Sequence, residues 1–388
     1  MNLKSVFLMA LVLAAGCNEQ KVKEKIVPHT EKQEQEEAPK KFDRNLGLPQ
    51  VEIPKNNPMS KEKVALGKKL FEDTRFSSTG EVSCSTCHDE AKGFTDQLVV
   101  SEGINGLKGT RNAPTVLNAA FNATQFWDGR SPTLEDQSRH PFVNSVEMGL
   151  KNHEPILEVV RTDPEYVKAF KTVFNKSVKE IKIEHVTMAI GAFERTVIAG
   201  NSRFDQWYYK GEKSLSDSEL RGFQTFIGNG RCVSCHAIEQ SSGLFTDHRF
   251  HNIGVGINRV PKEDVDRLVT EFLKANFNRE EVDEKVLNDL KTSELGRFAV
   301  TQNQNDIGAF KTSTLRNIDL TAPYMHDGSL KTLEDVVEHY NRGGASSDKE
   351  VITPFLSGGI RPLNLTDQEK KDLVAFMKSL TSTDLEKK

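Results

Sequence analysis

The chain carries one short pattern twice, in which two cysteines separated by two residues are followed at once by a histidine. The copies are Cys84-Ser-Thr-Cys87-His88 and Cys232-Val-Ser-Cys235-His236. Two thiols at this spacing can bond to the two vinyl groups of one porphyrin while the histidine ligates its iron. The pattern therefore predicts two covalently bound c-type haems. A zinc site or a disulfide at each pair is the alternative, and it leaves both histidines as coincidences.

The elements that must position these motifs are helical. A predicted helix precedes each motif, and the two helices begin after Ser60 and Ser216. Each helix carries a glycine followed four residues later by phenylalanine, at positions 67 and 71 and again at 222 and 226. A glycine inside a helix costs about 1 kcal/mol relative to alanine, so the matching glycines predict close packing of another element. We predict a mainly α fold of two cytochrome c-like haem domains related by pseudo-duplication.

The predicted domains are an N-terminal haem c domain over residues 51–200 and a C-terminal haem c domain over residues 201–388. Thr366-Asp-Gln-Glu369 is a capping box that predicts a terminal helix in the second domain. Residues 262–290 are charged and amphipathic, and we predict an insertion that lies on the surface. We find no strand-rich region in the sequence.

The N-terminal segment has the features of an export signal. Lys4 precedes an apolar run over residues 6–15, and small residues follow before Cys17, which lies outside both haem motifs. The run is too short to span a membrane. We predict a lipoprotein signal peptide over residues 1–17, whose cleavage exposes Cys17 for lipid attachment; a plain secretion signal is the alternative. Both place the mature chain in the periplasm, and the lipid would be its only tie to a membrane.

Composition adds a tether and excludes one class of partner. Residues 18–50 are rich in Lys, Glu and Gln and lack apolar periodicity, which predicts a disordered tether. The chain has 52 Lys and Arg residues against 56 Asp and Glu residues, a formal net charge of −4. This balance gives no indication of a nucleic-acid partner.

Longer motifs between and after the haem sites resemble a known family. They are Arg111-Asn-Ala-Pro-Thr-Val-Leu-Asn118, Gln125-Phe-Trp-Asp-Gly-Arg130, Leu315-Arg-Asn317 and Thr321-Ala-Pro-Tyr-Met-His-Asp-Gly328. The set is similar to the bacterial dihaem cytochrome c peroxidase and MauG family from about residue 55 to residue 382. In that family the N-terminal haem reacts with hydrogen peroxide, and the C-terminal haem passes electrons or stores an oxidising equivalent.

The resemblance implies a role for several residues around the first haem. Trp127 would relay electrons between the haems, and Glu147 would be the acid-base group above the first iron. Gln137 would hydrogen-bond water or peroxide there, and Phe126 and Pro141 would line the pocket. Three of these residues also have a plain structural alternative: Trp127 as a core tryptophan, Glu147 as a surface carboxylate and Gln137 as a surface amide.

The resemblance also implies a calcium ion between the domains. Its ligands would be Asn112 and the backbone carbonyls of Thr321 and Pro323, which are oxygen donors suited to a hard cation. An interdomain hydrogen bond by Asn112 is the alternative. His326 falls in the same stretch, and we expect it near the haems without ligating iron.

Two positions depart from the pattern of many peroxidases in this family. Where those enzymes have a histidine that ligates the resting first iron, this chain has Ile104, and no histidine occurs from Asp89 to Ser138. The first haem is therefore predicted to react without prior reduction. Where they have a methionine ligand to the second iron, this chain has Tyr340, which resembles the MauG branch. A phenolate favours ferric iron, so a low potential is expected; His339 or a methionine is the alternative ligand.

Taken together, these residues predict a dihaem peroxidase that reduces hydrogen peroxide to water. Its electrons would come from a small periplasmic cytochrome c or cupredoxin through the C-terminal haem. The alternative is a MauG-like enzyme that uses peroxide to oxidise side chains of a protein substrate. A non-enzymatic dihaem electron-transfer lipoprotein is a third hypothesis, and it would require two six-coordinate haems that ignore peroxide.

Overall fold

The structure, a computed structural model, describes residues 43–345, 347 and 350–386. The predicted signal peptide, Cys17 and the first part of the predicted tether lie outside these residues. The described part is mainly helical, as predicted, with one small sheet. Its two strands, β1 (Phe250–His251) and β2 (Phe310–Lys311), pair antiparallel, with Phe250 opposite Lys311. No helix in this part of the chain has the length and apolar character needed to cross a membrane.

The helices fall into two sets along the chain. The first set is α1 (Lys61–Glu72), α2 (Cys84–Cys87), α3 (Leu134–Gln137), α4 (His140–Val143), α5 (Glu154–Thr162), α6 (Pro164–Phe174) and α7 (Ile183–Glu194). The second set is α8 (Arg203–Lys210), α9 (Asp217–Ile227), α10 (Lys262–Ala275), α11 (Arg279–Asn288), α12 (Leu290–Ser293), α13 (Phe298–Thr301), α14 (Leu333–Asn341) and α15 (Asp367–Lys378). Short 3-10 helices connect them at Thr74–Phe76, Glu90–Lys92, Ile104–Gly106, Ala119–Phe121, Val178–Glu180, Cys232–Ser234, Ile257–Arg259, Gln304–Asp306 and Ile318–Leu320.

The first core forms where α1 crosses α7. Ser60 caps α1 by accepting a hydrogen bond from the backbone of Lys63. A Cβ atom on Gly67 would lie 1.9 Å from the carbonyl oxygen of Ala189 in α7, so the two backbones touch at this position. Buried apolar side chains surround the crossing, among them Leu66, Leu70, Phe76, Phe142 and Ile190.

The second core repeats this arrangement with α9 and α15. Ser216 and Thr366 begin these helices, each in a capping box with a glutamate. A Cβ atom on Gly222 would lie 1.9 Å from the carbonyl oxygen of Asp372. The close approach predicted at both helix glycines is confirmed. Phe204, Phe223, Phe226, Phe245 and Phe376 fill the space around this crossing.

The surface position predicted for residues 262–290 holds for most of their side chains, which are exposed, but the two helices also bury one apolar face. Val265, Val269 and Phe272 of α10 and Val282 and Val286 of α11 are buried in a third apolar core with Leu295 and Phe298. The charged residues of both helices face outward or meet the first half of the chain. The amphipathic pattern predicted the exposed face, but it could not identify which part of the protein the buried face covers.

The predicted tether is also too long at its C-terminal end. Residues 43–50 pack against the folded part, and Leu48 is buried. The carbonyl oxygen of Gly47 accepts hydrogen bonds from the Gly243 backbone and from the Arg316 guanidinium. Arg316 is fully buried and pairs with Asp205. These backbone contacts cannot be recognised from local composition. The tether was predicted from its polar residues, so its predicted end lies beyond the point at which the folded part begins.

Candidate functional site

The first cysteine pair lies on α2, which Ser83 begins. Thr86 accepts a hydrogen bond from the Ser83 backbone, so the short helix is held at its first turn. His88 follows the helix, and its Nδ1 atom lies 3.2 Å from the carbonyl oxygen of Phe94. Burial lowers the pKa of His88, which favours neutral imidazole. A backbone bond at Nδ1 directs Nε2 toward any metal, as in many metal-bound histidines.

The second motif has the same local geometry. Cys232 begins a 3-10 turn, and the His236 Nδ1 atom lies 2.9 Å from the carbonyl oxygen of Phe245. Burial lowers the pKa of His236 as well. All four cysteines of the two motifs are free, so the disulfide alternative is wrong for them.

The residues present fit a c-type haem in each half. The cysteines and the histidine of each motif are half-buried, at Cys84, Cys87, His88, Cys232, Cys235 and His236. Each motif thus offers two thiols for porphyrin attachment and one imidazole, kept neutral by burial, for iron. Bound haem would supply redox chemistry there.

Glu147 lies close to the first cysteine pair. Its carboxyl is close enough to Cys84 and Cys87 to raise the pKa of both thiols. Burial raises the pKa of Glu147 to about 7, with Arg130 acting to lower it and Asp283 to raise it. A carboxyl with this pKa can both accept and release a proton near neutral pH.

Ile104 lies directly beside Glu147. Its backbone N–H donates to the Glu147 carbonyl oxygen over 2.9 Å, and its side chain is buried against Gly149. The position to which the family resemblance assigns a ligating histidine therefore carries an apolar side chain. An isoleucine cannot ligate iron.

The other predicted residues of the first pocket lie nearby in the chain and are half-buried. Gln137 ends α3, and Pro141 is the second residue of α4. Phe126 has a positive φ of 65°, which is strained for a bulky side chain. The Arg130 guanidinium stacks 3.6 Å from its ring centroid, and the His140 ring meets it edge-on.

Trp127 sits at the junction of the two halves. Its indole Nε1–H donates to the carbonyl oxygen of Asn112 over 2.8 Å. Its own carbonyl oxygen accepts from the backbone of Lys311 in β2, also over 2.8 Å. The tryptophan is thus fixed by one hydrogen bond from each side of the junction.

Tyr340 lies on α14 and faces the second cysteine pair. Burial raises the pKa of its phenol, and the neighbouring Cys232 and Cys235 raise it further. The adjacent His339 is turned elsewhere, because its Nε2 atom lies 2.8 Å from the carbonyl oxygen of Ile253. Of these two residues, Tyr340 is the one placed toward the second motif.

The predicted calcium residues lie at the same junction. The Asn112 backbone donates to the His326 carbonyl oxygen, and its side-chain amide donates to Leu98. Thr321 and Pro323 follow a 3-10 turn that ends at Leu320. The His326 Nε2 atom lies 2.8 Å from a Glu294 carboxylate oxygen. This contact engages the ring nitrogen that would otherwise be available to bind iron.

A buried ionic network beside the first pocket has no counterpart in the sequence prediction. Arg130 pairs with Asp128 and with Asp283, and His140 Nδ1 lies 2.5 Å from the same Asp283 carboxylate. Asp283 is 153 residues away from Arg130 in sequence. No local signal in the sequence links them, because only the packing of α11 brings them together.

Comparison with known proteins gives one consistent result. The sequence model of the family described as "Di-haem cytochrome c peroxidase" matches residues 61–214. The chain is 36% identical over 330 residues to the methylamine utilization protein MauG of Methylorubrum extorquens, covering 85% of this chain and 81% of that protein. It is 35% identical over 324 residues to the cytochrome c551 peroxidase of Nitrosomonas europaea, covering 84% and 81%.

A solved structure agrees with the sequence relatives. The crystal structure of a MauG-like protein associated with microbial copper homeostasis superposes with a TM-score of 0.71 at 34% identity, covering 87% of this chain and 95% of that chain. Homologues with peroxidase names support a peroxidase-like oxidoreductase activity. On these similarities, together with the two haem motifs and their matching histidine geometry, the chain belongs to the di-haem cytochrome c peroxidase family.

Proposed function

We propose that this protein reduces hydrogen peroxide to water at its first haem, using two electrons delivered one at a time through the second. Each turnover converts one H2O2, two protons and two electrons into two molecules of water. The observation that carries the proposal is the pairing of Glu147, a carboxyl whose burial gives it a pKa of about 7, with Ile104, which cannot block iron. Bound haem supplies the electron chemistry.

The protein side chains handle the protons. Glu147, ionised, takes a proton from the oxygen of peroxide that is nearer the iron and returns it to the leaving oxygen. Gln137 orients peroxide or water by hydrogen bonding. Phe126 and Pro141 form apolar walls that keep other ligands out and help to hold the Glu147 pKa near 7.

Trp127 carries electrons between the halves in this proposal. Its indole donates to the Asn112 carbonyl oxygen and its own carbonyl oxygen accepts from Lys311 in β2, so hydrogen bonds hold it from both sides of the junction. Tyr340 is proposed as the second ligand of the His236-bound iron. Its position toward Cys232 and Cys235 and the separate bonding of His339 support this assignment.

A second candidate function is oxidation of a protein substrate, as in a MauG-like enzyme. The specific observation in its favour is a tyrosine at position 340, because a phenolate stabilises oxidised iron and disfavours rapid reduction by small donors. Both functions use the same peroxide chemistry at the first site. They differ in the electron donor, which is either a small cytochrome or cupredoxin or the side chains of a larger protein.

Three further features belong to the proposal. The two haem domains, 51–200 and 201–388, are related by duplication, which is supported by the two glycine crossings and the two His–carbonyl pairs. A calcium ion binds Asn112 and the carbonyls of Thr321 and Pro323. The mature protein is periplasmic, and a lipid on Cys17 attaches it to a membrane.

The test is peroxide-dependent oxidation of reduced cytochrome c by the purified diferric protein. Rapid turnover without a reductive pretreatment supports the peroxidase. Negligible turnover together with a prompt spectral reaction with peroxide supports oxidation of a protein substrate instead. A haem spectrum that does not change when peroxide is added would contradict both proposed functions and would support a non-enzymatic electron carrier.

A further inference from the structure

The loop that carries Glu147 is held from outside by a helix of the other half of the chain. We call residues 139–149 the Glu147 loop. Helix α11 lies across this loop and the segment before it, and contacts them at three points along its length. The sequence places α11 more than 130 residues after Glu147, so the second half covers part of the first pocket.

The first contact is at the start of α11. Arg279 donates to both carboxylate oxygens of Asp136 on α3, and to the carbonyl oxygen of Arg130 and the hydroxyl of Ser131. Arg279 is itself partly exposed, but Asp136 is less so. These bonds fix α11 to the segment from which Gln137 and the Glu147 loop emerge.

The central contact is buried and ionic. One carboxylate oxygen of Asp283 accepts from Arg130, and the other lies 2.5 Å from His140 Nδ1. Burial alone would raise the pKa of Asp283, but the His140 hydrogen bond and the Arg130 charge lower it, so it is an anion at neutral pH. Arg130 and His140 in turn pack on Phe126. Asp283 therefore holds both groups that support one wall of the pocket.

The third contact is two residues before Glu147. The hydroxyl of Ser145 donates to Glu284 over 2.6 Å and accepts from Asn288 over 3.2 Å. Within the loop, Asn144 accepts from the backbones of Val146 and Gly149. The loop is thus closed internally and tied to the last turns of α11.

We propose that α11 is a clamp which keeps the Glu147 loop ready for peroxide, and that Asp283 is its central positioning residue. Asp283 sets the positions of Arg130 and His140, and its negative charge offsets the positive charge of Arg130 near Glu147. This inference rests on the proposed function for its effect on the reaction, but not for its effect on the loop. The clamp gives a physical reason why a first haem without a displaceable histidine would need no rearrangement before use.

The charge part predicts a shift with a definite sign. Arg130 lowers the pKa of Glu147 and Asp283 raises it. In Asp283→Asn the negative charge that raises the pKa of Glu147 is lost, while Arg130, still paired with Asp128, keeps its positive charge, so the pKa of Glu147 falls. The pH midpoint of the reaction between the haem-loaded diferric protein and peroxide should move down by about one pH unit. Asp283→Glu keeps the negative charge, so its pH midpoint should lie close to that of the natural sequence. Glu280→Gln, on the exposed face of α11, should leave the midpoint unchanged.

The clamp part is read without any activity. Amide hydrogen exchange of the haem-loaded full chain should be about tenfold faster in residues 144–149 of Asp283→Asn than in the natural sequence, while α7 stays protected. If Asp283→Asn does not fold, Arg279→Gln removes the first contact and should loosen the same loop. Loop protection equal to that of the natural sequence would overturn the clamp. An unshifted pH midpoint would overturn the role of Asp283.

The two proposals fail in different ways. If the natural sequence does not react with peroxide, the proposed function fails, and the exchange measurement still decides whether α11 clamps the loop. If it reacts but the Asp283→Asn loop is as protected as before, the function stands and the clamp is wrong.

Discussion

In the proposed mechanism, Glu147 and Tyr340 make the two haem sites chemically unequal. Glu147 raises the pKa of the thiols in the first cysteine pair, and the second cysteine pair raises the pKa of the Tyr340 phenol. Each of the two side chains therefore faces one cysteine pair. The proposed role of Glu147 is to move a proton between the two oxygens of peroxide. The proposed role of Tyr340 is to ligate the second iron and so close that site. Under this proposal, two residues turn a pair of haem motifs into a reactive site and a storage or relay site.

The acid-base role of Glu147 predicts a pH dependence. With a pKa of about 7, the ionised fraction that accepts the peroxide proton grows as pH rises through 7. The rate constant for the reaction of the diferric protein with peroxide should therefore rise through pH 7 and level off above it. Glu147→Gln should lower the plateau by about 10²–10⁴-fold and abolish the pH step. Stopped-flow absorbance measures both, with the exposed Glu158→Gln as control; a retained step would assign it to another group.

The ligand role of Tyr340 predicts a change in potential. Tyr340→Met replaces a hard anionic oxygen with a thioether, which favours ferrous iron. The potential of the second haem should rise by on the order of 0.1 V or more, within the range of about 0.8 V that axial ligands span. Spectroelectrochemical titration measures it, and Tyr208→Met at a partly exposed tyrosine is the control. An unchanged spectrum and potential in Tyr340→Met would remove tyrosine as the ligand.

At the scale of elements, each haem motif depends on one helix crossing. Cβ atoms at Gly67 and Gly222 would each come within 1.9 Å of a backbone carbonyl oxygen, and backbone cannot turn aside as a flexible side chain can. In the chain, Cys84 follows α1 after the 3-10 helix Thr74–Phe76, and Cys232 follows α9. A separation of the crossing helices would therefore move the cysteine pairs.

This geometry predicts the cost of one methyl group. Gly67→Ala should lower the free energy of unfolding by about 1–3 kcal/mol, because overpacking outweighs the better helix propensity of alanine. Urea unfolding of the haem-loaded protein measures it. Gly358→Ala is the control, since a Cβ atom there meets nothing within 4 Å. Equal stability of Gly67→Ala and the natural sequence would show that the helices do not touch at this glycine.

The helices show which structural features could be predicted from the sequence and which could not. The capping residues Ser60, Ser216 and Thr366 and the helix glycines are local signals, and the structure has helices and crossings where they predict them. The position of α11 depends on contacts across more than 130 residues, such as that between Asp283 and Arg130. Its amphipathic pattern specifies that one face is buried but not against what.

At the scale of the whole molecule, the two halves are joined by hydrogen bonds and ion pairs at, or next to, residues proposed to act in the reaction. Trp127 is bonded to Asn112 and to β2, and Arg297 donates to the carbonyl oxygens of Asp128 and Gly129. Helix α11 adds a third connection, at the Glu147 loop. The two haem motifs and the family motifs could be read from the sequence. The joints could not, because they consist mainly of backbone hydrogen bonds and long-range ion pairs that leave no sequence pattern.

The central claim is that the first haem site is open in the resting, fully oxidised protein. The most direct measurement is stopped-flow mixing of the diferric protein with a small excess of hydrogen peroxide, with no reductant present. We expect an immediate change in the haem absorbance, complete within the first seconds and strongly slowed in Glu147→Gln. A spectrum that stays unchanged until the second haem has first been reduced would contradict the account.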